Sequence, residues 1–146
     1  MADKIEAKEP LVVLVHPFDS ESYDSQPDFC NARERLVRGD SQLVILTNRP
    51  NETRKRIGKR DCEIIETKEF DPEPLCGWTD LSRRLQQYDR PVHVCGAELY
   101  LNQNGVPYRG CVFVAYERID VKSKRIALDN CWIVRPTNKK VANSGE

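Results

Sequence analysis

An α/β fold is predicted, with a mostly parallel sheet of five or six strands covered by helices on both faces. Three observations predict it. Short aliphatic runs such as Leu11–Val15 lack polar alternation, the mark of strands buried on both sides. The segments between them carry apolar residues at helical spacing. The two kinds alternate along the chain, which calls for parallel strands joined by crossover helices.

Leu11-Val12-Val13-Leu14-Val15 is the first strand. Pro27-Asp28 leads into a helix ending at Arg38, with Phe29, Ala32, Leu36 and Val37 on one face and Gly39 as its stop. Leu43-Val44-Ile45-Leu46 is a second buried strand. Asn48 and Pro50 offer a cap and a first-turn proline to a short helix ending near Gly58. Cys62 to Thr67 is a third strand, and Thr79-Asp80 caps a helix with Leu81, Leu85 and Tyr88 on one face. Pro91 to Gly96 is a fourth strand, and a last one lies within Arg125 to Val134. Asn102-Gln103-Asn104-Gly105-Val106-Pro107 is a strong turn signal, so Leu99 to Arg109 reads as an exposed loop.

Cys111 to Ile119 fits two elements equally. As a helix it turns Cys111, Val114, Ala115 and Ile119 inward; as a strand it pairs with 125–134 through the turn at Asp120 to Lys124. Residues 1–9 and 136–146 are polar and aperiodic, and are expected as tails around a single domain spanning 10–135. The whole is a three-layer Rossmann-like sandwich, whose sites lie at the carboxyl ends of the strands.

Composition narrows the function. The 146 residues suffice for one domain with a full core. Basic and acidic residues number 23 each, so no net field calls for nucleic acid or an anionic membrane. The six cysteines include no C-x-x-C pair and read as reduced thiols, with Cys95 and Cys131 inside apolar runs as packed small hydrophobes. Met1 to Pro10 is polar and charged, so no secretory signal is expected, and no apolar run nears the ~18 residues of a membrane span. The expected setting is cytoplasmic. His16 and His93 are the only histidines, which leaves zinc without a ligand set. With no Gly-rich phosphate loop either, neither a metal nor a cofactor is expected.

Candidate chemistry sits at strand ends. His16 follows the first strand, with Asp19 three residues on; Asn48 and Arg49 follow the second, Lys68 the third, Glu98 and Tyr100 the fourth. Cys111 follows Gly110 and opens the next element. At a helix N-terminus a thiolate is stabilised by the dipole and the free amides. A thiol, a group to take its proton and a cation to steady developing charge are the parts of acyl transfer. Each has a plainer reading: Cys111 as packing, His16 as a half-buried ring bonded to backbone, Lys68 as a solvated lysine among Glu66, Glu69 and Asp71.

The order of patches resembles a known family. Leu11–Val15, Lys68-Glu69-Phe70, Gly77-Trp78-Thr79-Asp80-Leu81 with Leu85, Val92–Gly96, and Gly110-Cys111-Val112 with Ala115 look like the isochorismatase-like cysteine hydrolases, over residues 11–134. The resemblance implies a Rossmann-like sheet and cleavage of a small amide. It places Lys68 on the family lysine and Cys111 on the family cysteine. The family aspartate falls on His16, leaving Asp19 as the nearest carboxylate, and Gly96 to Cys111 is longer than the family interval. The metal-binding cluster of the nicotinamidase branch is missing from Thr47-Asn48-Arg49-Pro50-Asn51.

Two functions of different class follow. One is a cysteine hydrolase, its chemistry kept or altered: Cys111 attacks a carbonyl carbon, His16 or Asp19 takes the proton and Lys68 stabilises charge, with amides near Gly110 and Cys111 as the oxyanion site. It requires 111–119 to be helical. The other is a non-catalytic binding or assembly protein, in which 111–119 is a strand, Cys111 is buried and Trp78, Tyr100 and Tyr108 meet a partner. A third use is the basic stretch Arg49 to Arg60 against a polyanion, where the plainer reading is a solvated amphipathic helix. Partners are thus a small-molecule substrate or a protein, and a homo-oligomer remains open.

Overall fold

The computed structural model describes residues 9–69, 71–101, 107–108, 110–127 and 131–136; of the expected tails 1–9 and 136–146, residues 1–8 and 137–146 lie outside them. Strand β1 (Leu11–Val15) is buried along its length at the centre of the sheet. It pairs in parallel with β2 (Leu43–Thr47) on one side and β4 (Val92–Leu101) on the other. β3 (Glu63–Glu66) extends the sheet beyond β2, also in parallel. β6 (Lys124–Ile126) and β7 (Trp132–Pro136) pair in parallel with successive stretches of β4 and share one edge position. β5 (Pro107–Tyr108) is antiparallel to Tyr100 and Leu101. The sandwich therefore has the mostly parallel sheet the sequence predicts, with strand order β3-β2-β1-β4-β5.

Among the described residues four α-helices cover it: α1 (Pro27–Arg38), α2 (Pro50–Ile57), α3 (Trp78–Gln86) and α4 (Cys111–Arg118). The alternation of β1 divides its apolar side chains between two core layers. Leu11, Val13 and Val15 pack with Leu81 and Leu85 of α3 and Val112 and Ala115 of α4. Val12 and Leu14 pack on the other side with Ala32 and Val37 of α1 and Ile57 of α2. Each such valine, leucine or isoleucine contributes roughly 1.5–3 kcal/mol by leaving water. Cys95 and Cys131 are buried in the second layer, as their apolar surroundings suggest.

Three local readings change. Residues 111–118 are a helix: Val112, Ala115 and Ile119 are fully buried against β1 and β4, a helical spacing that burial enforces over the β-branched content of the segment. Val114 is only half-buried, so Val112 takes the inward place expected for it. Leu99 to Arg109 is not simply a loop, since β4 continues to Leu101 and is met by β5; residues 102–106 and Arg109 lie outside the described residues. The last strand divides into β6 and β7, and β7 runs to Pro136, one residue into the expected tail. No helix among the described residues is long and apolar enough to cross a membrane.

The order in which successive strands are laid down across the sheet reverses between β1 and β4, which are themselves parallel. In open parallel sheets that is where a cleft opens beyond the carboxyl ends. β1 ends there at Val15, level with Gly96 of β4.

Candidate active site

His16 is the first residue beyond β1, and its backbone is left-handed, with φ of +51°. Few residues other than glycine adopt that conformation, at about 1–2 kcal/mol. It is held by the His16 N–H, which donates to the Leu46 carbonyl at 2.7 Å. The turn carries the ring inward, where Nδ1 lies 2.5 Å from Asp19 Oδ2 and both side chains are almost wholly buried, 6% and 5% exposed. Cys111 stands near enough to the ring to favour its protonated form. With Nδ1 committed to Asp19, Nε2 is the nitrogen left for the thiol.

Asp19 is fixed in turn by the end of β2. The Thr47 hydroxyl donates to its Oδ1, and the Asn48 N–H donates to Oδ2 at 3.0 Å. Thr47 is itself held by Thr53 of α2 at 3.1 Å and accepts the Arg49 N–H at 2.9 Å. Burial alone would lower His16; the hydrogen bonds and charges of Asp19 and then Cys111 outweigh it and raise it to about 9. Burial alone would raise Asp19, yet His16, Thr47 and Asn48 hold its carboxyl below the usual range. At neutral pH this is an imidazolium–carboxylate pair.

Cys111 opens α4 with Gly110 as its N-cap, which brings no side chain to the first-turn amides. Those N–H groups and the positive end of the helix dipole stand where a negative charge would develop. Cys111 is half-buried while the His16 and Asp19 side chains are almost wholly enclosed.

The structure thus joins three of the four predicted residues, Cys111, His16 and Asp19. Lys68 stands apart, at the end of an edge strand two positions from β1. Its side chain is 57% exposed and pairs with Glu73 at 3.7 Å. Two residues of the site escaped the sequence reading. Thr47 figures in the sequence only within Thr47–Asn51, the segment that lacks a metal-binding cluster, although a polar residue closing an apolar strand is a usable signal. Tyr23, on the 3-10 helix Glu21–Ser25, is buried and its hydroxyl donates to Glu98 Oε2 at 3.3 Å. Burial, then Glu98, push that hydroxyl well above its ordinary range, and the charges of Cys111 and Asp19 add to the effect.

The loop bearing Asp19 and Tyr23 is clamped by Arg33 of α1, a guanidinium whose residue is 3% exposed. Nη1 donates to the Pro17 carbonyl and Nη2 to Asp24 Oδ1, each at 2.8 Å, with the Phe18 ring centroid 4.4 Å away. Arg33→Met is expected to lower stability by about 2 kcal/mol, because it strands the Pro17 carbonyl and one bond of Asp24. A urea midpoint that falls at unchanged slope would show it. Arg33→Lys is expected to recover little, since an ammonium cannot reproduce the two-pronged contact.

The basic stretch after β2 is largely engaged in the fold. Arg54 donates to the carbonyls of Gly58, Arg60 and Cys62, Arg60 to those of Leu36, Ser41 and Asp61, and Arg56 to Asp24. Trp78 is half-buried against the core, and the side chains of Tyr100 and Tyr108 lie outside the described residues. Among the described residues no three His, Cys, Asp or Glu side chains are grouped to hold a metal ion. Compared with family models, curated proteins and solved structures, the chain matches none, so its site is read from its own geometry.

Proposed function

We propose that this protein is a cysteine-dependent hydrolase of small amide-type substrates, with Cys111 as nucleophile, His16 as acid and base, and Asp19 as its orienting carboxylate. The observation that supports it is the buried imidazole bonded to Asp19, with the half-exposed Cys111 at a helix N-terminus near enough to favour the ring's protonated form. That is the arrangement of nucleophile, base and orienter that acyl transfer requires. The Cys111 thiolate attacks the amide carbon, forming a C–S bond while the carbonyl electrons move to oxygen under the first amides of α4. Collapse breaks the C–N bond, and the leaving nitrogen takes its proton from the His16 imidazolium. Water then attacks the thioester as His16 accepts its proton, releasing the carboxylic acid and restoring Cys111. The resemblance to the isochorismatase-like hydrolases supports the same nucleophile and substrate class. It differs in the base, since His16 stands on the family aspartate and Lys68 is remote.

Iodoacetamide labelling between pH 5 and 9, followed for each cysteine by mass spectrometry, tests this. Cys111 is expected to react roughly tenfold faster than Cys76, the exposed reference thiol, with His16→Ala slowing Cys111 and leaving Cys76 unchanged. A Cys111 no faster than Cys76, or indifferent to His16→Ala, would remove the nucleophile from the reading.

A further inference from the structure

The fold engages most of the basic stretch Arg49 to Arg60 without cancelling all of its charge. On the face of the sheet away from α4, a cleft of about 410 Å³ lies between the C-terminal ends of α1 and α2. Four cations line it, Arg38 of α1, Lys55 and Arg56 of α2, and Arg60 beyond, against the single carboxylate of Glu34. Arg60 donates to the carbonyls of Leu36, Ser41 and Asp61, which carry no net charge, so its guanidinium is fixed and still cationic. Arg56 lies over the Phe18 ring, 4.4 Å from its centroid, and its carboxylate partner Asp24 is shared with the buried Arg33. Glu34 meets Arg38, whose side chain is 81% exposed, and a surface pair of that kind opens readily to a ligand. The Lys55 ammonium has no carboxylate partner among the described residues. Basic side chains also complement helix C-termini, but each end carries only about half a negative charge. With the two helix ends and Glu34 offset, roughly two positive charges in the cleft remain unmatched.

We propose that this cleft binds an oligophosphate, the chain of two or more phosphate groups borne by inorganic polyphosphates and by nucleoside di- and triphosphates. Guanidinium groups meet phosphate oxygens through paired N–H bonds, and the Lys55 ammonium adds a mobile point charge. Donors that arrive from two helices and the segment after them suit a chain of phosphates better than a single one. The volume is that of an ordinary small-molecule site. Val37 and Ile57, both buried, back the cleft with apolar surface, whose low permittivity strengthens the hold of the charges on an anion. Gly58 leaves open space, since a Cβ there would meet nothing within 4 Å. A nucleic acid fits less well, because no aromatic side chain among the described residues lines the cleft to stack a base. The assignment does not rest on the hydrolase reading, with which it shares no residue.

Calorimetric titration of the full chain with inorganic triphosphate, ATP, inorganic phosphate and sulfate, at one ionic strength, tests this. Triphosphate is expected to bind one to one, and roughly tenfold or more tighter than phosphate or sulfate, as added charge on the ligand demands. Lys55→Gln and Arg38→Gln are each expected to weaken triphosphate roughly fivefold, the scale of one charge at contact distance in water. Lys59→Gln removes an exposed cation that does not line the cleft, and is expected to leave binding unchanged. Equal affinity for ATP and triphosphate assigns recognition to the phosphate chain alone, and tighter ATP assigns a nucleoside as its bearer. Triphosphate that binds no tighter than sulfate would overturn the proposal, and that comparison needs no variant to fold. So would an equal loss in Lys55→Gln and Lys59→Gln, which marks a diffuse field and not a site. A short single-stranded oligonucleotide that binds tighter than triphosphate would overturn it in favour of a nucleic-acid face.

Discussion

Gly96→Ala is expected to prevent the chain from reaching its native state. Gly96 has φ of +123°, and a Cβ there would lie 2.1 Å from the Val15 carbonyl oxygen and 2.5 Å from the Val15 nitrogen. These are backbone atoms of the central buried strand, so no rotamer change relieves the clash. β1 can move away only by parting from β4 and disturbing both core layers. A cost beyond ~5 kcal/mol is in the range that unfolds a domain of ordinary stability. Gly58→Ala is the control: φ is +64°, but the added Cβ meets nothing within 4 Å. It is expected to cost about 1–3 kcal/mol from backbone strain alone. Far-UV circular dichroism and urea midpoints distinguish the two, and similar midpoints would refute the close approach of β4 to β1. Because His16 follows Val15 directly, the same approach sets where the imidazole begins.

The second large effect is a loss of stability with rising pH that His16 alone produces. The His16 value is raised in the folded chain, from 6.5 to about 9. Between those values the folded state binds more protons than the unfolded state, so stability falls as pH rises. The contribution is fully present below pH 6.5 and gone above about 9, and amounts to about 3 kcal/mol. Asp19 acts in the opposite sense, its contribution present above the ordinary carboxylate value and lost as pH falls through its lowered one. Urea titrations of wild type and His16→Asn at intervals from pH 6 to 9.5 measure the difference; asparagine tolerates the left-handed backbone, so the comparison isolates the ring. Wild type is expected to lose stability across the window relative to the variant. Cys111→Ser is expected to narrow the window, since Cys111 contributes to the rise. Parallel wild-type and His16→Asn curves would show that the ring is not protonated between Asp19 and Cys111.

Much of this was legible in the chain. The aliphatic runs of β1 and β2 and the helical face of Leu81 and Leu85 depend on local periodicity, and they fold as that periodicity says. His16 and Asp19 were singled out by one topological rule, that sites lie at the carboxyl ends of parallel strands, and Cys111 by its place after Gly110 at the start of the next element and by the family resemblance. Lys68 met the same rule and lies elsewhere, because the rule names an end of the sheet and not a distance along it. β3 stands two positions from β1, so its following loop pairs with Glu73 instead. Thr47 and Tyr23 have no periodic signal; they matter only because β2 neighbours β1 and because the Asp19 loop folds toward Glu98.

By itself, then, the sequence determined the layers, the order of most elements and the end of the sheet where chemistry can occur, since burial on one or both faces is written in apolar spacing. The tertiary structure alone decided that Cys111 begins a helix, that Glu98 interrupts the alternation of β4, and that His16 bonds Asp19 with Cys111 near its ring. Those outcomes depend on register and packing between residues far apart in the chain, and no local pattern encodes which side chains such packing will bring within a hydrogen bond of each other.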